Sequence, residues 1–162
     1  MTINDGQRYP DDCKLHGIDF RHRNIVLTPE RRNELDIVNR SVNRAIAPKP
    51  SLFSAASEEW LIWPRAGDCK NYAVTKQHEL LARGWPSRAL LLSEVVLPSG
   101  EHHLVLVVRV RDADYVLDNL EDDLQLVVMT FGQYLWVRVQ SPQDPKLWVR
   151  VLGILQPVTA AN

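Results

Sequence analysis

The chain has 162 residues, with a hydrophobic share of 45%, a charged share of 24% and a formal net charge of −1. That length suits one domain whose core needs no staples, and the composition is ordinary for a soluble globular protein. The near-neutral balance, without a concentrated basic block, excludes nucleic acid and an anionic membrane as implied partners, and no run approaches the roughly 18 apolar residues of a membrane span.

Residues 1–27 read as a polar N-terminal arm, ending in a short strand at Asn24–Leu27. His16 and His22 read as solvated surface residues. Met1 to Leu27 contains no apolar signal core. The expected compartment is therefore the one where the chain is made, cytoplasmic by default, unless a removed leader or another export route takes it to the periplasm or outside. Cys13 lies in this arm. With Cys69 it makes two cysteines, too few for a disulfide framework.

Thr28-Pro29-Glu30 is a helix start: Thr caps, Pro suits the first helical position and Glu favours the positive dipole end. Leu35, Val38, Val42, Ala45 and Ile46 then recur at helical spacing. The helix should stop near Ala47, before Pro48 and Pro50. Asn39 and Asn43 share one side of it, either as a polar flank or as a wall near a site. Pro48 to Ala66 reads as a loop with one helical turn at Ser57–Leu61. Trp60 and Trp63 cover the core edge on this reading, and both are candidates for lining a substrate groove.

A second helix is expected from Cys69 to Arg83, with Cys69, Ala73, Lys76 and Leu80 on one stripe and Tyr72 beside it. Gly84 should cap it and Pro86 block its continuation. From Arg88 the pattern changes to strands: Ala89–Leu97, His102–Val110, Tyr115–Leu117, Leu124–Met129, Tyr134–Val139 and Lys146–Val151. Pro98-Ser99-Gly100, Arg111–Asp114 and Ser141–Pro145 are the turns. Helices first and strands after indicate an α+β fold with an antiparallel sheet.

Three residue types in this order carry chemistry. Cys69 opens a helix, whose N–H groups and dipole favour a thiolate. Gly67 lets the backbone turn sharply into that helix and leaves room for a substrate chain. The Cys69 N–H could donate to a developing oxyanion. Asp68 is a natural cap that opposes the thiolate, and Lys70 works the other way. A histidine must then act as base, held by a carboxylate. His102 and His103 are adjacent on a strand and face opposite sides, so at most one points at Cys69; alternation alone does not choose. Asp118 closes an apolar run and is the candidate orienting acid. A two-residue loop at Asp112-Ala113 would set Asp118 opposite Val107, about 13 Å along the strand from His103, so the reading requires a shifted register or a bulge.

Gly67-Asp68-Cys69 with Tyr72, then His103-Leu104-Val105-Leu106, then Val116-Leu117-Asp118-Asn119, resembles the bacterial transglutaminase-like cysteine proteinases, relatives of a periplasmic protease that cleaves biofilm adhesins. Val38-Asn39-Arg40-Ser41-Val42-Asn43 resembles the family's upstream helix. The likeness spans roughly residues 35–120. It implies a papain-like or transglutaminase-like core, N-terminal helices packed on an antiparallel sheet, in a domain over residues 28–157 with a tail at 158–162. It implies Cys69 as nucleophile, His103 as base and Asp118 as orienting acid. Trp60, Trp63, Asp68 and Asn119 are the groove candidates.

The implied activity is that of a cysteine endopeptidase acting through an acyl-enzyme on a protein or peptide substrate. The alternatives are a transglutaminase-like amide acyltransferase, or a catalytically silent binding module on the same fold. The family commonly has two acidic residues after the cysteine, and some members bind calcium there. Lys70 and Asn71 stand in those places here. A cation in the middle of a hard-metal site is costly. The expectation is therefore no metal or other cofactor, with calcium lost.

Overall fold

A computed structural model describes residues 25–50 and 60–151. Cys13, His16, His22, most of the expected arm, most of the helical turn at Ser57–Leu61 and the expected tail lie outside these residues.

The first helix, α1, runs Pro29–Ala45. Thr28 Oγ1 accepts from the Arg31 N–H at 3.3 Å, satisfying one of the donors that a helix start leaves open. Leu35, Val38, Val42 and Ile46 are buried in the main core. Ala45, expected on the same stripe, is exposed. Ile46 leaves the helix in an extended conformation, and its side chain covers the core instead.

Two short strands that the sequence reading took as loop follow. β1, Ala47–Pro48, pairs in parallel with β2, Ala66–Gly67. Ala47 N–H donates to Arg65 O at 3.0 Å and Lys49 N–H to Gly67 O at 2.8 Å. This pair ties the end of α1 to the entry of the second helix, α2, at Cys69–Ala82. Every residue of α2 from Cys69 to Gln77 is buried. The expected stripe of Cys69, Ala73, Lys76 and Leu80 is therefore part of a helix enclosed on all sides in its first half. It ends at Gly84, whose φ of +86° is the left-handed conformation glycine adopts without strain.

The remaining strands are β3, Leu90–Val96; β4, His102–Arg109; β5, Asp114–Leu117; β6, Gln125–Leu126; β7, Leu135–Gln140; and β8, Trp148–Arg150. They form one antiparallel sheet in the order β6-β5-β4-β3-β7-β8. The strand expected over Leu124–Met129 is only two residues long, because Val127–Thr130 closes into a 3₁₀ turn. Alternation divides β3 and β4 into two faces. Leu90, Leu92, Leu104, Leu106 and Val108 join the main core with α1 and α2. Val95 and Val105 join Val116 in a smaller cluster on the other face. Each fully buried Leu or Val contributes roughly 1.5–3 kcal/mol. Among the described residues no helix is long and apolar enough to cross a membrane.

Candidate active site

The site forms where β5 ends and β4 becomes the local edge of the sheet. The turn between these strands is longer than the two residues assumed from sequence. Arg109, not Arg111, pairs with Asp114, and Leu106 pairs with Leu117. Val110 to Ala113 make the connection, closed by Val110 N–H to Ala113 O at 3.0 Å. Continuing that register places Asp118 level with Val105, two residues from His103 and on the same side of β4. No bulge is needed. The Asp118 carboxylate reaches His103, with Nε2 to Oδ1 at 2.8 Å.

Asp118 is held on every side. Its Oδ1 also accepts from the Leu120 N–H at 2.9 Å, and its Oδ2 accepts from the Tyr134 hydroxyl. Burial opposes the carboxylate, but the hydrogen bonds and charge of His103, then the Leu120 and Tyr134 donors, outweigh it and hold Asp118 below the usual carboxylate range. Burial and the Asp118 charge push the Tyr134 hydroxyl well above its ordinary value, which keeps it a donor. The Tyr134 ring meets the His103 ring edge-on, with centroids 6.3 Å apart.

With Nε2 engaged by Asp118, the other ring nitrogen of His103 is the one available to the Cys69 thiol, and the two groups act on one another electrostatically. Burial works against an imidazolium here. The hydrogen bond and charge of Asp118, with the influence of Cys69, outweigh it, and the His103 pKa rises from 6.5 to about 9. Cys69 and His103 are each about 5% exposed or less. His102 takes no part: its Nδ1 lies 2.7 Å from Glu94 Oε1, Glu94 also accepts from Arg138, and the His102 side chain is half exposed.

Cys69 stands at the first position of α2, where no intrahelical carbonyl reaches its N–H. A capping box fixes that entry. Asp68 Oδ1 accepts from Lys70 N–H at 3.0 Å, and Asn71 Oδ1 accepts from Asp68 N–H at 3.1 Å. The space beside Gly67, expected for a substrate chain, is filled by Asn71. A Cβ on Gly67 would lie 2.6 Å from both Asn71 Cβ and Oδ1. Gly67 is there for that close approach, and Asn71 Nδ2 goes on to donate to Leu61 O at 3.2 Å.

Of the groove candidates, Trp60 is 2% exposed and belongs to the core. Trp63 is exposed and lies along α2, donating from Nε1 to Glu79 Oε1 at 2.8 Å. Asp68 is engaged by Lys70. Asn119 is half-buried, with an Oδ1 that has no hydrogen-bond partner. Sequence reasoning missed Tyr134, which read only as the start of a strand. It also missed the donor role of Asn39 and Asn43. Asn43 Nδ2 donates to Asp118 O and Asp122 Oδ1, both at 2.9 Å, and Asn39 Nδ2 donates to Glu121 O and Asp122 O at 3.0 and 2.9 Å. Their i, i+4 spacing was the available signal.

Residues 4–154 match the model of the family described as bacterial transglutaminase-like cysteine proteinase. The chain belongs to this family. No curated protein sequence matches it. Solved structures similar to this family member include calcium-bound Legionella pneumophila LapG, at a TM-score of 0.59 and 22% identity, covering 67% of this chain and 64% of that one. A second LapG structure gives a TM-score of 0.56, 23% identity and the same coverage. An EGTA-treated form gives 0.56 and 23%, covering 67% of this chain and 62% of that one. The chain thus spans a little under two thirds of LapG, and the likeness establishes the transglutaminase-like proteinase fold.

The calcium-bound neighbour corrects the expectation of no cofactor. That expectation rests on two unfavourable side chains, Lys70 and Asn71. Calcium takes six to eight oxygen ligands, backbone carbonyls among them, so two positions do not decide its binding. In the arrangement seen here Asp68 Oδ2 is engaged by Lys70 Nζ at 2.6 Å. No group of three or more His, Cys, Asp or Glu side chains among the described residues is placed to hold a metal. No catalytic step is routed through a metal.

Proposed function

We propose that this family member is a cysteine endopeptidase-type hydrolase with Cys69 as nucleophile, His103 as general base and acid, and Asp118 as the orienting carboxylate. The observation that carries the reading is the 2.8 Å contact of His103 Nε2 with Asp118 Oδ1, on a buried ring whose charge is coupled to Cys69 at a helix start. His103 takes the thiol proton, leaving a thiolate beside an imidazolium. The thiolate attacks the peptide carbonyl carbon, and the oxyanion that forms accepts from the Cys69 N–H. His103 returns its proton to the leaving amine as the C–N bond breaks. Water, deprotonated by His103, then cleaves the thioester and frees Cys69.

The alkaline limb of kcat/KM should lie near pH 9, where His103 loses the proton that the leaving amine needs. Hydrolysis of a fluorescein-labelled unfolded protein such as casein tests the activity. Wild type should release labelled peptides and Cys69→Ala none. A rapid acid quench should trap an acyl group on Cys69 by mass. Equal hydrolysis by Cys69→Ala would overturn the reading.

A further inference from the structure

The loop that carries Asp118 poses an electrostatic problem. Residues 118–123 read Asp-Asn-Leu-Glu-Asp-Asp, four carboxylates in six positions. Like charges this close repel one another. α1 meets the loop with donors: Asn39 and Asn43 bond its carbonyls and Asp122, and Arg40 bonds Asp123. From α2 comes Lys76. It is fully buried, and its Nζ has no hydrogen-bond partner among the described residues. A buried amine without an acceptor costs stability and needs a reason. The acidic groups that act on it are Asp118 and Asp122.

We propose that Lys76 is a positioning residue for the catalytic pair, a buried and unpartnered cation whose charge keeps Asp118 ionised and paired with His103. The proposal rests on the assignment of Cys69, His103 and Asp118 made above. Burial lowers the Lys76 pKa to about 7, although Asp118 and Asp122 oppose the shift. The ammonium is therefore present on the acid side of neutrality, where protonation of Asp118 would otherwise switch the site off. A cation lowers the pKa of each group near it. Its removal moves upward the acid limb that Asp118 sets.

The test needs no known substrate. The rate of iodoacetamide labelling of Cys69 is measured from pH 4 to 8 in wild type and in Lys76→Met, which keeps an unbranched chain and removes the charge. The pH at half-maximal labelling should rise by about one unit in Lys76→Met, with a melting temperature at or above that of wild type. Lys76→Arg, which keeps the charge, should retain the wild-type limb. A folded Lys76→Met with an unchanged limb overturns the proposal. So does a Lys76→Met that fails to fold, since the amine would then be a structural group. Wild-type Cys69 labelling no faster than Cys13 is a different failure, that of the assigned triad.

Discussion

In the proposed triad of Cys69, His103 and Asp118, the observed contacts run from His103 to Asp118 and on to Tyr134. Tyr134 sits at the far end, giving Asp118 Oδ2 a donor while Leu120 N–H and His103 share Oδ1. Tyr134→Phe removes one hydrogen bond to a buried charge. It should cost about 1.5–3 kcal/mol in chemical denaturation and raise the acid limb of Cys69 labelling, because Asp118 loses a group that favours its ionised form. Unchanged stability and an unchanged limb would show the hydroxyl to be a bystander. Asp118→Asn should leave Cys69 in place but lower kcat/KM by about 10²–10⁴-fold. At this scale the helix start at Cys69 was legible because its markers are local: a glycine and a cap within two residues. Tyr134 was not, because its partner lies 16 residues away and is reached only through the fold. Lys76 read as one member of a stripe, since nothing local marks a lysine as enclosed.

α2 carries the proposed nucleophile, and its entry is a tight backbone passage at Gly67. Gly67→Ala drives a methyl into Asn71, which must leave the capping box. The expected cost is about 1–3 kcal/mol, with slower Cys69 labelling, because the displaced turn carries the Cys69 N–H. Thr28→Ala is the contrasting case. It removes the cap of α1 and should cost about 1 kcal/mol, with no effect on labelling per folded molecule. A Gly67→Ala protein as stable and reactive as wild type would contradict this account of α2. The helices were readable because punctuation marks them: Thr28-Pro29 at one start, Gly84 and Pro86 after one end. The β4–β5 register was not, because Arg111–Asp114 contains no Asn-Gly or Gly-containing signature to set the loop length. That missing signal displaced Asp118 by two residues from its true level. The β1–β2 pair was unreadable for another reason: two-residue strands leave no periodicity.

Across the whole molecule, the sheet and α2 enclose charges that a core ordinarily refuses. Lys76 carries a pKa lowered from 10.5 to about 7. Between those values the unfolded chain binds a proton that the native chain does not, so this group makes stability rise with pH. Lys76→Met removes that dependence. Its stability advantage over wild type should be greatest below pH 7 and shrink toward pH 10.5, read from denaturation midpoints at several pH values. A constant difference would contradict the burial of an ionisable amine. Asp118 acts in the opposite range. Its depressed pKa contributes stability that is present above the ordinary Asp value and lost as pH falls through the folded one.

The central claim is that Cys69 is activated by His103. It is tested most directly by iodoacetamide labelling at pH 6, where an ordinary thiol is only about 0.3% thiolate. Cys69 of the native protein should react at least about tenfold faster than Cys13, and His103→Ala should bring it down to the Cys13 rate or below. Cys69 reacting no faster than Cys13, or equally fast without His103, would contradict the assignment.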